Sequence, residues 1–299
     1  MKKKFLLGVI VVLLITNIAT LLLWNDDEKV ALDNDDTEID LNKPVATVDG
    51  EEFSYKQWMK SLRENHGKEQ LKGMIDRAVV NQLANKNNIE INDKVIAREI
   101  AMLTSMQSPM SEKETKKKVD EWREDILYRY RLGALLTADT SIPEEKIRSH
   151  FEEYGDQYNF QASLQLSHII VPDFETAEKV KKELDNGASF DLLAQEYSTD
   201  EETKKSGGYL GLFVNESQFL PGGYLETASQ MDERTYSEPF QSDSGVAIIY
   251  LHQKLPSITF SYEEIKPYIK RELALGKSNQ TLTADPLWDK LDIDWVFEE

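Results

Sequence analysis

The sequence predicts an α+β protein: a module of helices and strands inserted into a mainly helical domain, behind one N-terminal membrane-spanning helix. Apolar residues recur at helical spacing before residue 160 and again after residue 256, and strand-like runs lie between these points. A single long apolar segment occupies the start of the chain. With 299 residues the chain is long enough for two domains.

Charge and cysteine content exclude several classes of function. The formal net charge is −19 and there are no cysteines. A strongly negative surface repels phosphates, so we expect no nucleic-acid partner. Without cysteine the chain has no disulfide, thiol nucleophile, thiolate metal site or lipid attached to an N-terminal cysteine. The four histidines form no H-E-x-x-H pattern, so we expect neither a metal nor another cofactor.

The N-terminus predicts a membrane anchor. Lysines at positions 2 to 4 precede an apolar stretch over residues 5–24, and about 20 helical residues span the hydrocarbon core of a bilayer. Because a basic flank stays in the cytoplasm, residues 1–4 are expected to be cytoplasmic and the body to face outward from the cell membrane. A cleaved signal peptide is the alternative, although no clear Ala-x-Ala site follows.

An acidic linker and the first part of a helical, chaperone-like domain follow. Residues 25–43 are acidic and lack apolar periodicity, which indicates a disordered stalk. Residues 44–159 begin with a strand, an Asp49-Gly50 turn and a second short strand. Ser54 is then expected to cap a helix that ends near Asn87. Further caps are predicted at Asn92 and, with a capping-box pattern, at Ser111 and Glu114.

The pattern changes to strands and short helices over residues 160–255. The run LQLSHIIV at 164–171 predicts a buried strand that contains one histidine, His168. Helices are predicted near 175–184 and 190–197, and a second strand over 245–252. A histidine in an apolar run is either a hydrogen-bonded core residue or part of a site, and the octapeptide alone leaves both open.

Helical periodicity returns in the C-terminal segment, residues 256–299. The tail LDIDWVF alternates apolar and polar residues, which predicts a strand. This tail is too apolar to be free in solvent. We therefore expect the segment to pack back on the helical domain, so that the module is an insertion between its two halves.

Four blocks of the module resemble the parvulin family of peptidyl-prolyl cis-trans isomerases. They are SHIIV at 167–171, GASFDLLAQEYSTD at 187–200, GGYLGLF at 207–213 and EPFQSDSGVAIIY at 238–250. Each block is a weak signal alone, but all four in order are a specific one. The flanking layout resembles that of extracytoplasmic foldases of the PrsA and SurA kind.

The resemblance implies an isomerase that rotates Xaa-Pro bonds over a barrier of about 20 kcal/mol without a nucleophile or a metal. Such a site needs an apolar cup for proline and polar groups that favour the twisted amide. The implied polar groups are His168, Asp200, Ser242 and Ser244, and the implied apolar wall is Phe213, Phe219, Tyr224 and Leu225. Ordinary core packing is the alternative for each wall residue.

Two departures from the family bear on activity. Ala247 occupies the place of the family's second histidine, and Tyr209 replaces the aspartate of its glycine-rich turn. His252 is predicted to point away from Ala247, since five positions along a strand reverse the face. An enzyme acting on unfolded, proline-containing secreted polypeptides is therefore one hypothesis. The others are a weak or inactive parvulin-like chaperone that only binds such chains, and a scaffold protein; homodimerisation is left open.

Overall fold

The structure is a computed structural model that describes residues 29–31, 38–214, 219–278 and 282–297. The predicted membrane anchor, residues 5–24, lies outside these residues. No helix within the described ranges is both long enough and apolar enough to cross a membrane. Internal contacts divide the chain into two units. The N-terminal unit contains the described residues up to Asp76 together with those from Ile293 onward, and the main unit is Arg77–Asp292.

The N-terminal unit contains two small antiparallel hairpins and the start of a long helix. Strand β1 (Lys29–Ala31) pairs with β2 (Glu38–Asp40), and β3 (Pro44–Val48) pairs with β4 (Glu51–Ser54). The predicted Asp49-Gly50 turn is confirmed, and both residues have positive φ. Helix α1 (Tyr55–Lys86) follows directly. The hydroxyl of Ser54 accepts a hydrogen bond from the Gln57 amide, as expected of a cap.

Four helices build the mainly helical part of the main unit. The two predicted caps are confirmed: the Asn92 side chain accepts from the Lys94 amide, and Ser111 with Glu114 forms a capping box. The four helices are α2 (Asp93–Ser105), α3 (Glu112–Leu136), α4 (Glu144–Tyr154) and, after the module, α8 (Tyr262–Ser278). The end of α1 also belongs to this part.

Helix α8 packs against helices that precede the module in sequence. Its Ile265 and Ile269 share a buried cluster with Val95 of α2 and Ile147 of α4. The chain enters the module at Phe160 and leaves it near Ile258, and these two residues form an antiparallel bridge. The module thus begins and ends at one place on the helical part.

The predicted strand in the C-terminal tail is wrong. A short helix α9 (Asp285–Trp288) is followed by turns and coil, and the described residues 291–297 form no strand. Alternation places apolar side chains on one face of an extended segment, but a strand also needs a neighbour for its backbone hydrogen bonds. No ladder partner is present for this segment in the described ranges.

The module is an antiparallel sheet with helices on both faces. The strands lie in the order β6-β5-β9-β7, and β8 also pairs with β9. Their bounds are β5 (Ser163–Val171), β6 (Tyr209–Val214), β7 (Thr235–Tyr236), β8 (Phe240–Ser242) and β9 (Gly245–Leu255). The module helices are α5 (Phe174–Asp185), α6 (Phe190–Tyr197) and α7 (Tyr224–Gln230).

The central strand β5 is buried along its whole length, as predicted. Its odd-numbered residues Ile169 and Val171 pack with α5 and α6. Its even-numbered residues Leu166 and Ile170 belong to a second cluster on the opposite face, together with Tyr224 of α7. The two-residue period places His168 on this second face, between two apolar neighbours.

Candidate active site

His168 is held between a carboxylate and a phenol. Its side chain is buried, and its Nε2 lies 2.7 Å from Asp200 Oδ2. Its Nδ1 lies 2.8 Å from the Tyr224 hydroxyl. Because a carboxylate can only accept, Nε2 is the donor to Asp200, and the Nδ1 of a neutral ring accepts from Tyr224. Both ring nitrogens are therefore engaged and one neutral tautomer is selected.

Asp200 is fixed by the loop that follows α6. Thr203 Oγ1 donates to Asp200 Oδ2 at 2.5 Å and also lies 3.0 Å from His168 Nε2. The Ser198 hydroxyl accepts from the amides of Asp200 and Ile170. These bonds tie the loop to β5 beside the histidine. The Asp200 side chain keeps 24% of its surface exposed, so it borders both the buried network and solvent.

Local environment sets the protonation states that this network requires. Burial lowers the pKa of His168 below its ordinary value, and the bond to Asp200 opposes this. For Asp200, burial raises the pKa, but hydrogen bonds from Thr203 and His168 outweigh it and hold the pKa below its usual range. Burial raises the pKa of the Tyr224 phenol. At neutral pH the site therefore contains a carboxylate, a neutral imidazole and a phenol that keeps its proton.

A glycine allows close approach at His168. The His168 amide donates to the Gly208 carbonyl at 2.8 Å, where the register of β5 and β6 shifts. Gly208 has a φ of +76°, and a Cβ at this position would lie 2.0 Å from the His168 carbonyl oxygen. Only glycine fits, so this turn of the GGYLGLF block fixes the backbone that carries His168.

Tyr224 lies inside the protein, directly against His168. Its ring meets the imidazole edge-on with centroids 5.9 Å apart, and it contacts Phe240 on another side. It has no exposed surface and belongs to the same buried cluster as Ala247. The small side chain of Ala247 and the large one of Tyr224 therefore share one region of the core. The phenol supplies a polar partner for the histidine on the face that carries Ala247.

The two predicted serines lie at the β8–β9 turn. The Ser242 hydroxyl interacts with the Tyr224 phenol, donates to the Gly245 carbonyl at 2.9 Å and accepts from the Ser244 amide at 3.3 Å. Ser242 is buried, whereas Ser244 is exposed. The structure thus links His168, Asp200, Tyr224 and Ser242 into one chain of contacts, to which Ser244 is joined through its backbone.

The other three wall residues lie on separate elements. Phe213 is half-buried on β6, opposite Leu164 of β5. Leu225 is 38% exposed on α7, and Phe219 is 89% exposed. Phe213 and Phe219 stand on either side of residues 215–218, which lie outside the described ranges. Their role in holding a proline ring remains a prediction.

His252 lies on the opposite face of the sheet from Ala247, as predicted. Its Nε2 is 2.8 Å from the Ser167 hydroxyl, and its ring packs edge-on against Tyr250 at 4.7 Å. Burial, with a smaller effect of Arg234, lowers the pKa of His252 to about 4. This histidine therefore cannot replace the missing one beside His168.

Sequence reasoning missed Thr203, Ser198 and the specific requirement for Gly208. Thr203 follows Asp200 by three residues in the turn STDEET, a spacing at which hydroxyl and carboxylate side chains often bond to each other or to the backbone. That pattern could have identified Thr203. The contact of Gly208 with His168 joins residues distant in sequence and gives no local signal.

Sheet, helices and polar network together define a parvulin-type module carried by a helical body. The model of the rotamase family, the PPIC-type PPIase domain, matches residues 174–253. A Bacillus subtilis (strain 168) protein, YacD, which its name assigns provisionally as a peptidyl-prolyl cis-trans isomerase, is 35% identical over 257 residues, 85% of this chain and 86% of that protein. The foldase protein PrsA 4 of Bacillus cereus is 28% identical over 237 residues, 77% of this chain and 76% of that protein.

Similar solved structures include a PrsA and a SurA-like chaperone. The crystal structure of PrsA from Bacillus cereus overlaps with a TM-score of 0.33 at 24% identity, over 86% of this chain and 95% of that one. A SurA-like chaperone from Campylobacter jejuni overlaps with a TM-score of 0.36 at 21% identity, over 84% of this chain and 99% of that one. On the strength of the sequence match to YacD, this chain belongs to the family of PPIC-type peptidyl-prolyl cis-trans isomerases.

Proposed function

We propose that this protein accelerates the cis–trans isomerisation of Xaa-Pro bonds in unfolded secreted polypeptides, outside the cytoplasm, while residues 5–24 anchor it in the cell membrane. The observation that carries the proposal is the neutral His168 held at 2.7 Å from Asp200 and 2.8 Å from Tyr224. A buried polar network that is fully hydrogen-bonded keeps its geometry without reorganisation, which is what an electrostatic catalyst requires.

The reaction needs only a change in the electron distribution of an amide. A planar Xaa-Pro bond draws double-bond character from a resonance form with negative charge on the carbonyl oxygen, and the barrier to rotation is about 20 kcal/mol. A carboxylate beside that oxygen disfavours this form and so lowers the barrier. Asp200 is the partly exposed, ionised group suited to this role, and His168 with Thr203 fixes its orientation.

The remaining predicted residues complete the proposed site. Phe213, Phe219 and Leu225 hold the proline ring, and Ser242 with Ser244 lines the polar side. Tyr224 acts indirectly, by donating a hydrogen bond to His168 Nδ1. No covalent intermediate forms and no proton is transferred, since rotation about the bond leaves every atom attached to the same neighbours.

A second candidate is a chaperone that binds unfolded chains with little catalysis. Ala247 favours it, because alanine offers the substrate no hydrogen bond. The N-terminal unit favours it too: a groove of about 1020 Å³ is lined by Pro44, Phe53 and Trp58, and Met59 and Leu62 are also exposed. Exposed apolar surface of this kind suits the apolar segments of an unfolded polypeptide.

Exchange NMR on an Xaa-Pro peptide separates the two candidates. The full-length chain in mild detergent is compared with His168→Ala and with His66→Ala, which changes an exposed histidine of α1. Acceleration by the unaltered chain and by His66→Ala, but not by His168→Ala, supports the isomerase. If no variant accelerates exchange while all suppress the aggregation of an unfolded protein, the chaperone is the function.

The proposed orientation has its own test, since the chain contains no cysteine. Asn42→Cys is expected to react with a membrane-impermeant maleimide in intact cells. Lys3→Cys is expected to react only after lysis. Labelling of Lys3→Cys in intact cells would contradict the assigned topology.

A further inference from the structure

A second polar cavity lies in the helical part of the main unit, away from the isomerase site. Its volume is about 390 Å³, and residues of α2, α3 and α8 line it. Three arginines, Arg98, Arg129 and Arg271, and two glutamates, Glu99 and Glu272, contribute to the lining. This gives the cavity an excess of one positive charge in a chain whose net charge is −19. A local excess of this sign needs a physical reason.

Arg271 carries the uncompensated charge. Its guanidinium lies 4.1 Å from the Tyr130 ring centroid and 5.1 Å from that of Tyr268. Among the described residues its hydrogen bonds go to Tyr130, and the bond to the Tyr130 carbonyl is long, at 3.4 Å. It makes no ion pair with a carboxylate in the part of the chain that the structure describes. Burial lowers the pKa of Arg271, as expected for a cation that its surroundings compensate poorly.

The nearby carboxylates are engaged by other groups. Glu99 is bound by Arg98 and Arg129, and Glu272 accepts from the Tyr158 hydroxyl at 2.7 Å. Glu264, which lines an adjoining cavity that Arg271 also borders, pairs with Lys94 at 2.8 Å. Arg271 is thus a half-buried cation, and the two glutamates that line its cavity, Glu99 and Glu272, both have other partners.

A second guanidinium in the same cavity has a spare donor. Arg98 Nε is buried and has no hydrogen-bond partner among the described residues, although the Nη atoms of Arg98 bind Glu99 and the Gln157 carbonyl. Gly133 gives Arg271 its space, because a Cβ there would lie 2.8 Å from Arg271 Cδ. Arg271 therefore lines the cavity with guanidinium donors that no described carboxylate uses, and the arginine fork matches the geometry of a carboxylate.

We propose that this cavity binds a carboxylate group with Arg271 as its cationic partner. One uncompensated charge calls for a monoanion. The volume is at the small end for ligand sites, which suits a single residue or a small molecule rather than an extended segment. Val95, Phe260 and Ile265 provide an apolar lining beside the arginine, suited to a carboxylate on an apolar group. The C-terminus of an unfolded polypeptide and a small free carboxylate both have this chemistry.

Fluorescence anisotropy of a labelled, proline-free apolar decapeptide tests the proposal with the full-length chain in detergent. The peptide is used as its free acid and as its C-terminal amide. General repulsion by a net charge of −19 would make the acid bind more weakly. A site at Arg271 reverses this preference, and we expect the acid to bind about tenfold more tightly, as is typical of a charged hydrogen-bonded pair.

Variants locate the site. Arg271→Gln is expected to abolish the preference for the acid, and Lys277→Gln, which removes the same charge from an exposed position of α8, is expected to keep it. Arg271→Lys keeps the charge without the fork and is expected to retain a reduced preference. A preference that persists in Arg271→Gln, or equal affinity of acid and amide for the unaltered chain, overturns the proposal. The second result does so even if a variant fails to fold.

Competition with N-acetyl-leucine distinguishes the sources of the carboxylate. Displacement of the acid peptide assigns the site to a small free carboxylate, whereas binding that resists it assigns the site to a polypeptide C-terminus. The inference goes beyond the proposed isomerase function and does not depend on it. Because the probe lacks proline, and because Arg271→Gln is expected to leave Xaa-Pro exchange unchanged, the two proposals fail separately.

Discussion

Removing the Tyr224 hydroxyl tests whether the histidine network is what makes the site work. Tyr224→Phe deletes the donor that lies 2.8 Å from His168 Nδ1 and leaves the ring in contact with His168 and Phe240. The change removes one oxygen and creates almost no cavity. Any effect therefore reports the loss of the hydroxyl and its interactions with His168 and Ser242 rather than packing.

The size of the effect follows from burial. His168 is 5% exposed and Tyr224 is fully buried, so Nδ1 becomes a buried acceptor without a partner. Such a loss costs about 1–3 kcal/mol of folding free energy. A donor at Nδ1 favours the neutral ring, so its removal raises the pKa of His168. If the bond keeps the catalytic geometry, its loss is expected to lower kcat/KM about tenfold, the equivalent of about 1.4 kcal/mol.

Three measurements with a matched control check this reasoning. Native-state hydrogen exchange of the β5 amides reports local stability, ¹⁵N NMR of the imidazole reports its titration, and peptide exchange reports activity. Tyr236→Phe is the control, because its phenol bonds to the exposed Asp185 at 2.9 Å, and a loss below about 0.5 kcal/mol is expected. If Tyr224→Phe retains both the activity and the His168 titration of the unaltered chain, the network is not part of the mechanism.

Three further changes have defined outcomes. Gly208→Ala places a Cβ 2.0 Å from a backbone oxygen, so it should lower the free energy of unfolding by more than about 2 kcal/mol and abolish activity. Gly187→Ala is the control, because Gly187 also has positive φ but lies in open space, and it should lower the free energy of unfolding by about 1 kcal/mol. Thermal melts measure both losses. Thr203→Val removes a donor to Asp200, which raises the carboxyl pKa, so the acid limb of the pH–rate profile should move to higher pH; an unmoved limb would count against the assignment. His252 has a folded pKa of about 4 and an unfolded value near 6.5, so the unfolded state binds the proton first as pH falls. Stability should drop between pH 6.5 and 4, by about 1–2 kcal/mol after solvent screening is allowed for, and His252→Gln should flatten that slope in melts at several pH values.

Local sequence signals predicted most of the fold because they depend on neighbours in the chain. The capping box at Ser111 and Glu114, the turn at Asp49 and the buried strand β5 each result from a few adjacent residues. The face of His252 followed from the two-residue period of a strand. The strand prediction for residues 291–297 was wrong because the alternation of apolar and polar residues cannot reveal whether a partner strand exists.

The site residues could be predicted only where the family motif lies on a helix or strand, or directly at the end of one. His168 lies on a strand and Asp200 at the end of a recognisable helix block, and the structure brings them into contact. Tyr224 and Leu225 could not be told apart, since neighbouring residues on a helix point about 100° from each other and the register of the preceding loop is not encoded locally. The structure places Tyr224 against His168 and leaves Leu225 partly exposed.

The exchange of a histidine for an alanine at Ala247 changes how the network is completed. A buried imidazole needs partners at both nitrogens, and an alanine alone would leave Nδ1 of His168 unsatisfied. Tyr224, packed in the same cluster as Ala247, meets that need with a phenol whose pKa burial raises. A phenol does not gain or lose a proton between pH 5 and 8, whereas a second histidine would. The Tyr224 phenol therefore adds no group that titrates near neutral pH, and the lowered pKa values of His168 and Asp200 favour a neutral imidazole beside a carboxylate. This argues that Tyr224 completes the hydrogen bonding of His168, and against Ala247 being simply a lost catalytic residue.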